Sequence, residues 1–170
     1  NTEDAYPYFI VEQREGISVG AKVVRDPTLA AARTIVLPQL ATQLAAIHAI
    51  PLNEVEFLPR PAQGRTATQE ILHMLRTAAA RFDPANPVWA FGIRWLERHQ
   101  PDRLPLALIH GDYRIGNFLV TLDGLSAILD WEFAHIGDPA DDVTWLMVRD
   151  WRFGNVKLPV GGIGERQPFL

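Results

Sequence analysis

Oxygen-bearing side chains suited to phosphoryl transfer are concentrated between residues 112 and 130. Asp112 lies just after a short apolar run, 106–109, which predicts a strand that ends in a loop. Asn117 opens a second apolar run. An Asp-Gly pair at 123–124 then predicts a hairpin turn, and the return strand ends at Asp130. We therefore expect the side chains of Asp112, Asn117 and Asp130 to lie close together.

Two carboxylates and one carboxamide in the same place can divide the work of phosphoryl transfer. One carboxylate orients a hydroxyl group and accepts its proton. The carboxamide oxygen and the second carboxylate are ligands of the kind that Mg²⁺ prefers, and they can hold the ion against the phosphates of a nucleotide. The sequence therefore indicates a kinase-like site at the ends of the hairpin strands.

The order of these residues resembles the catalytic loop of kinases, in which four residues separate an Asp from an Asn and a metal-binding Asp follows. The stretch is similar to the aminoglycoside phosphotransferase (APH) family of small-molecule kinases. It most resembles the branch related to the kinase domains attached to some acyl-CoA dehydrogenases. Gly111 stands where protein kinases carry Arg, and Trp131-Glu132 where they carry Phe-Gly. Three motifs of that branch occur in order: HGDYRxxN at 110–117, LDWE at 129–132 and GDP at 137–139.

The resemblance implies roles for three residues of the first motif. Asp112 would be the catalytic base that aims the acceptor oxygen at the γ-phosphorus. His110 would hold the catalytic loop through hydrogen bonds and would not be the base. For Arg114 two roles stay open: it would reach a phosphate or pair with a carboxylate of the loop.

The implied cofactors are ATP (or GTP) and Mg²⁺. Asn117 would supply a neutral oxygen to the metal and Asp130 an anionic one. Glu132 would lie on the same side as Asp130 if the strand continued, because side chains two residues apart in a strand share a face. There Glu132 would bind a second metal ion or one of its waters, or remain an exposed carboxylate.

The fold implied by the resemblance is α+β: the mainly helical C-terminal lobe of a protein-kinase-like fold with a catalytic β-hairpin, its N-terminal lobe missing. Residues 1–16 would form a hinge strand, 8–11, and an interlobe linker whose main chain at Glu12, Gln13 and Arg14 contacts the nucleotide. Residues 17–170 would form a partial catalytic lobe, part of a longer chain.

The phosphate-binding parts of a kinase are not recognisable in these 170 residues. The segment around Lys22 superficially matches the kinase strand whose Lys clamps the phosphates, but no glycine-rich loop precedes it. We therefore interpret Lys22 as a solvated loop residue. We expect the missing N-terminal lobe of the same protein to be a partner, and this chain alone to be nearly inactive.

Helical spacing predicts the remaining elements. A helix is expected over 37–48, with His48 as a core or helix-end residue, and Thr66 and Gln69 form a capping box for the next one. Asn86 should cap a third helix and Asp138 a fourth. In the fourth helix, Asp141 and Asp142 favour the positive end, and Trp145 belongs to the apolar stripe. The Gly/Pro-rich tail at 158–164 is expected beside the acceptor pocket. One face of the third helix is expected to pack in the core: Val88, Phe91, Gly92, Trp95, Leu96 and His99.

The composition is that of an ordinary globular domain, with a net charge of −4 and no cysteine. No basic block favours a nucleic-acid partner, no apolar run is long enough to predict a membrane span, and we expect a cytoplasmic protein. The expected partner is a small molecule with a hydroxyl group.

Two other functions are compatible with the sequence. One is a metal-dependent phosphoester hydrolase, which needs several ligands converging on its ions. The other is a non-catalytic nucleotide-binding module, a pseudokinase. The ligands available to the hydrolase are His110, Asp112, Asp130, His135 and Asp138.

Overall fold

A computed structural model describes residues 10–101 and 105–170. The predicted strand at 8–11 lies partly outside these ranges, and its described residues, Ile10 and Val11, have no regular structure. Mixed helices and small sheets are confirmed. The helices are α1 (Gly20–Arg25), α2 (Ala30–His48), α3 (Ala67–Phe82), α4 (Pro87–Arg98) and α5 (Ala140–Leu146). The strands are β1 (Ala107–Ile109), β2 (Phe118–Thr121), β3 (Gly124–Ile128) and β4 (His135–Gly137).

The strands form two antiparallel pairs, and the predicted hairpin is confirmed. β2 pairs with β3 in a register that sets Phe118 opposite Ile128, with Gly124 (φ +122°) at the turn. β1 pairs with β4, so that Ile109 faces His135. The loop at 110–117 connects β1 to β2. One strand of each pair therefore ends at this loop.

Helix α2 carries the largest part of the core. Val36, Leu40 and Leu44 are buried against the hairpin, and the Tyr113 hydroxyl donates to the Leu40 carbonyl oxygen at 2.8 Å. The predicted helix is confirmed, but it begins seven residues earlier, at Ala30 instead of 37, with Pro38 inside it. A proline removes one helical hydrogen bond, and the burial of the surrounding apolar side chains compensates for that loss.

Helices α3 and α4 form a hairpin whose caps follow the sequence. Thr66 and Gln69 form the reciprocal capping box, and the Asn86 side chain accepts from the amide of Val88 at 2.9 Å. The expected core face of α4 is wrong. Phe91 and Trp95 are 74% and 51% exposed, because within the described ranges α4 packs mainly on α3 and buries only Ile93.

The tail after α5 is irregular, as expected for a loop, and part of it packs into the core. Val160, Ile163 and Phe169 are buried, and Val160 pairs with Gly164 in a tight turn. A Cβ at Gly164 would lie 2.3 Å from a methyl carbon of Leu37, so the turn approaches α2 as closely as a glycine permits. None of the described helices is long and apolar enough to cross a membrane.

Candidate active site

A buried carboxylate on α5 fastens the main chain of the loop at 110–117. The fully buried side chain of Asp142 accepts from the amides of His110 at 2.8 Å and Gly111 at 2.9 Å. His48, at the end of α2 as predicted, has Nε2 3.1 Å from the same carboxylate. The sequence had placed Asp142 only at the positive end of its helix. Its tertiary role was missed.

The His110 ring joins the loop to the hairpin. Its Nδ1 accepts from the Asp112 amide at 3.2 Å, and its Nε2 lies 2.8 Å from the Leu129 carbonyl oxygen. A carbonyl oxygen only accepts hydrogen bonds, so Nε2 carries the proton and the ring is neutral. Burial lowers the pKa of His110, in agreement with a neutral ring. Both nitrogens are occupied by main-chain groups.

Gly111 allows the segment after the hairpin to lie against the loop. Its φ of +85° is in the region that favours glycine, and a Cβ there would lie 2.4 Å from the Phe133 carbonyl oxygen. The arginine of protein kinases would not fit at this position.

The Asp112 carboxylate is surrounded by donors. Trp145 Nε1 donates to Oδ1 at 2.6 Å, and Asn117 Nδ2 donates to Oδ2 at 2.6 Å. Arg114 Nε lies 2.9 and 3.1 Å from the two oxygens. Burial acts to raise the pKa of Asp112, but the hydrogen bonds from Trp145, Asn117 and Arg114 outweigh it and hold the pKa below its usual value.

Arg114 therefore pairs with a carboxylate of the loop, one of the two contacts left open above. Its guanidinium also lies over the Trp151 ring, 4.3 Å from the centroid. A Cβ at Gly116 (φ +117°) would lie 2.5 Å from Arg114 Nη1, so the glycine leaves room for the guanidinium.

Asn117 and Asp130 lie at adjacent ends of the hairpin. The Leu129 amide donates to the Asn117 carbonyl oxygen at 2.8 Å. Asp130 directly follows Leu129 in the sequence. Asp130 is exposed in the left-handed region (φ +62°), which Asp and Asn tolerate better than most residues. Among the described residues no donor binds Asn117 Oδ1 or the Asp130 carboxylate. One amide oxygen and one exposed carboxylate are a donor set that fits Mg²⁺.

Glu132 would share a face with Asp130 only if the strand continued, and that condition is not met. The strand ends at Ile128, and the left-handed residue Asp130 turns the chain into a 3-10 turn at Trp131–Phe133. Glu132 is exposed and faces a cleft on the α3 side of the loop.

That cleft has a volume of about 480 Å³ and lies between α3 and the segment leading into β4. Gly111 forms part of its wall, next in sequence to Asp112. Of its three carboxylates, Glu70 accepts from the Ala62 amide and Arg65, Asp141 lies 3.7 Å from His135 Nε2, and Glu132 has no ion-pair partner in the described part of the chain. The apolar lining comprises Pro59, Pro61, Ala67, Ile71, Met74, Phe133, Ala134 and Ile136.

The residues proposed for nucleotide contact precede α1. Glu12, Gln13 and Arg14 form an exposed irregular segment, in which Arg14 Nη1 is 3.5 Å from Glu12 Oε1. The chain then meets the hairpin, because Ile17 and Val120 exchange main-chain hydrogen bonds of 2.8 and 3.1 Å.

The metal cluster required by a hydrolase is not formed. No three His, Asp or Glu side chains within residues 10–101 and 105–170 are grouped so that they could hold an ion. His135 instead contacts the Phe133 carbonyl oxygen through Nδ1 at 2.9 Å. Asp138 accepts from the Ala140 amide at 2.9 Å, and it lies one residue before the N-cap of α5, which is Pro139 and not Asp138 as predicted.

Known proteins are similar to this chain in sequence or in fold. Acyl-CoA dehydrogenase family member 10 of Mus musculus is 26% identical over 145 residues, which are 82% of this chain and 13% of that protein. The GDP and kanamycin complex of the phosphotransferase APH(2")-IIia has a TM-score of 0.61 and is 20% identical, over 78% of this chain and 47% of that one. Macrolide 2'-phosphotransferase MphH from Brachybacterium faecium has a TM-score of 0.51 and is 25% identical, over 82% of this chain and 42% of that one.

The chain thus spans less than half of either solved structure and a small part of the curated relative. The family profile described as the phosphotransferase enzyme family, APH, matches residues 1–167. Since this match covers nearly the whole chain, the predicted family is confirmed, and the protein belongs to the APH phosphotransferase enzyme family.

Proposed function

We propose that the protein transfers the γ-phosphoryl group of ATP, or of GTP, to a hydroxyl group of a small molecule. One observation carries this proposal: the Asp112 carboxylate is bonded to Asn117, and Asn117 is in register with the residue before Asp130. A proton acceptor and two metal ligands are therefore adjacent, as phosphoryl transfer requires. The complex of a related phosphotransferase with GDP and kanamycin supports a nucleotide and a hydroxyl compound as its two substrates.

Asp112 would act mainly by orienting the acceptor. Its lowered pKa keeps the carboxylate charged at neutral pH and makes it a weak base. That is sufficient for a loose transition state, in which the hydroxyl proton need not leave before the phosphoryl group arrives. The neutral His110, with both nitrogens occupied, would fix the loop.

Asn117 Oδ1 and the Asp130 carboxylate would hold Mg²⁺. When bound, the ion supplies positive charge that neutralises the β- and γ-phosphates. The main chain at Glu12–Arg14 would contact the nucleotide base. The pairing of Ile17 with Val120 supports this, since Val120 is three residues from Asn117 along β2, or about 10 Å at the rise of a strand.

The acceptor would bind in the cleft between α3 and β4. The cleft adjoins the loop at Gly111, and its lining is mostly apolar, with Glu70 bonded to Arg65 and Glu132 as an exposed carboxylate. It therefore suits a hydroxyl compound with an apolar body better than a compound carrying several positive charges.

Replacing Met74 by Trp is expected to raise the KM for the acceptor by about tenfold or more, because the larger side chain would fill part of the cleft. The KM for the nucleotide should not change. Ala78→Trp, one turn further along α3 and outside the cleft, is the matched control. Equal effects of the two variants on the acceptor KM would exclude the cleft as its site.

The phosphate clamp would lie outside these 170 residues. The chain has two lysines. Lys22 is exposed, as expected, but it lies in helix α1 and not in a loop. Because phosphoryl transfer depends on positioning and electrostatic stabilisation, loss of the clamp should remove most of the activity.

Nucleotide turnover tests the function. Full-length protein is incubated with ATP or GTP, Mg²⁺ and a panel of hydroxylated metabolites, including hydroxyacyl thioesters, and nucleoside diphosphate is measured. We expect acceptor-dependent turnover by the full-length protein and almost none by residues 1–170. Nucleotide binding without transfer to any hydroxyl compound would favour a pseudokinase, and equal turnover by both proteins would contradict an external clamp.

A further inference from the structure

Trp145 contacts the candidate base but belongs to none of the three sequence motifs. Its indole Nε1 donates to Asp112 Oδ1 at 2.6 Å. The side chain is 37% exposed, so core packing alone does not explain a tryptophan here. An indole N–H in contact with a carboxylate is a charge-assisted hydrogen bond, which is shorter and stronger than one between neutral groups.

The helix that carries Trp145 also fixes the main chain of the catalytic loop. Asp142, three residues earlier on α5, accepts from the amides of His110 and Gly111. Residues three apart lie on the same side of a helix. One face of α5 therefore holds both the backbone before Asp112 and the carboxylate itself.

The indole ring is held from its other side. Trp145 packs on Trp151 with ring centroids 5.7 Å apart, and Trp151 in turn lies under the Arg114 guanidinium. A planar ring with two neighbours has little freedom, so its N–H points at a fixed place. Arg114 shares one N–H between both oxygens of Asp112, whereas Trp145 directs its N–H at one of them.

We propose that Trp145 is a positioning residue for phosphoryl transfer, whose indole N–H holds the Asp112 carboxylate in the orientation that receives the acceptor hydroxyl. This inference rests on the proposed function. Without the N–H, the carboxylate would rotate or be drawn wholly to Arg114, and the acceptor oxygen would be aimed less well. Nucleotide binding would not depend on it, because the proposed nucleotide and metal contacts come from other residues.

The kinetic test compares Trp145→Phe with Trp89→Phe in the full-length protein. The first variant keeps a ring against Trp151 and loses only the donor. The second is the same change on the exposed face of α4, away from the site. We expect kcat to fall by roughly 10- to 100-fold in Trp145→Phe, the worth of a hydrogen bond to a charged group, with the nucleotide KM unchanged. An unchanged kcat, or an equal fall in Trp89→Phe, would overturn the inference.

A spectroscopic test is independent of turnover and of the folding of the tryptophan variant. Indole N–H signals of the five tryptophans are recorded by NMR and assigned through the backbone. The Trp145 signal should move strongly upfield in Asp112→Ala and stay in place in Asp150→Ala, an exposed aspartate beyond α5. A signal that ignores Asp112 would overturn the contact even in an active kinase. Absence of turnover with the shift intact would overturn the proposed function instead.

Discussion

Asp112→Asn is expected to lower kcat for phosphoryl transfer by about 10²–10⁴-fold, the usual contribution of a positioned proton acceptor. The substitution keeps the size of the side chain but removes its charge and one acceptor. Three donors, from Trp145, Asn117 and Arg114, would then compete for a single oxygen. The amide would also present a donor to one of them, so the side chain would lose its orientation as well.

The measurement is steady-state transfer by the full-length protein with its best acceptor. The KM for the nucleotide should change little, because the proposed metal ligands, Asn117 and Asp130, are intact. Asp123→Asn is the matched control: it is the same change at the exposed turn of the hairpin. A wild-type rate in Asp112→Asn would remove Asp112 from the role of base.

Several features of the fold could be predicted because they depend on short-range contacts. The Asp-Gly turn, the capping box at Thr66 and the cap at Asn86 each involve residues within three or four positions of one another. Such contacts depend on neighbouring residues and can be recognised without knowledge of the tertiary fold. The hairpin was predicted from the sequence, and its register accounts for the pairing of Asn117 with the residue before Asp130.

Two expectations were not met because each extended a local pattern beyond what the pattern determines. Glu132 was placed beside Asp130 on the assumption that the strand continued. The left-handed backbone conformation of Asp130 ends the strand geometry, and no sequence pattern predicts this conformation. The apolar face of α4 was read as core because an amphipathic helix favours a covered face. Periodicity identifies such a face but does not say which segment covers it.

Contacts between distant segments were out of reach. Asp142 lies in the first turn of α5, where a carboxylate also interacts favourably with the helix dipole, and that local explanation was sufficient. Trp145 fitted an apolar stripe. Their contacts with the loop at 110–117 join residues about thirty positions apart in the sequence. Such contacts can be recognised only when α5 is placed against β1.

Asp142→Asn is expected to lower the free energy of unfolding by about 2–4 kcal/mol, because it leaves buried donors without a full partner. The carboxylate accepts from two loop amides, one on each oxygen, and also contacts His48. An amide side chain has one oxygen, so its NH₂ group would face one of these donors in a fully buried position. Catalysis should fall as well, since the loop that carries Asp112 loses its anchor.

Asp141→Asn is a closely matched control for this prediction. Both aspartates lie in the first turn of α5, so the change in the helix-dipole interaction is similar. Burial raises the pKa of Asp141, which means that folding favours its protonated form relative to the unfolded chain. Neutralising Asp141 should therefore cost little stability or add some, whereas neutralising Asp142 should cost much.

Urea unfolding of both variants at pH 7 measures the difference, and hydrogen exchange locates it. The amides of His110 and Gly111 donate to Asp142 and should exchange faster in Asp142→Asn than in Asp141→Asn when the two are compared at equal global stability. Similar losses of stability in the two variants, with unchanged exchange at these two amides, would mean that α5 does not anchor the loop. The orientation of Asp112 would then have to come from the hairpin side alone, through His110 and Asn117.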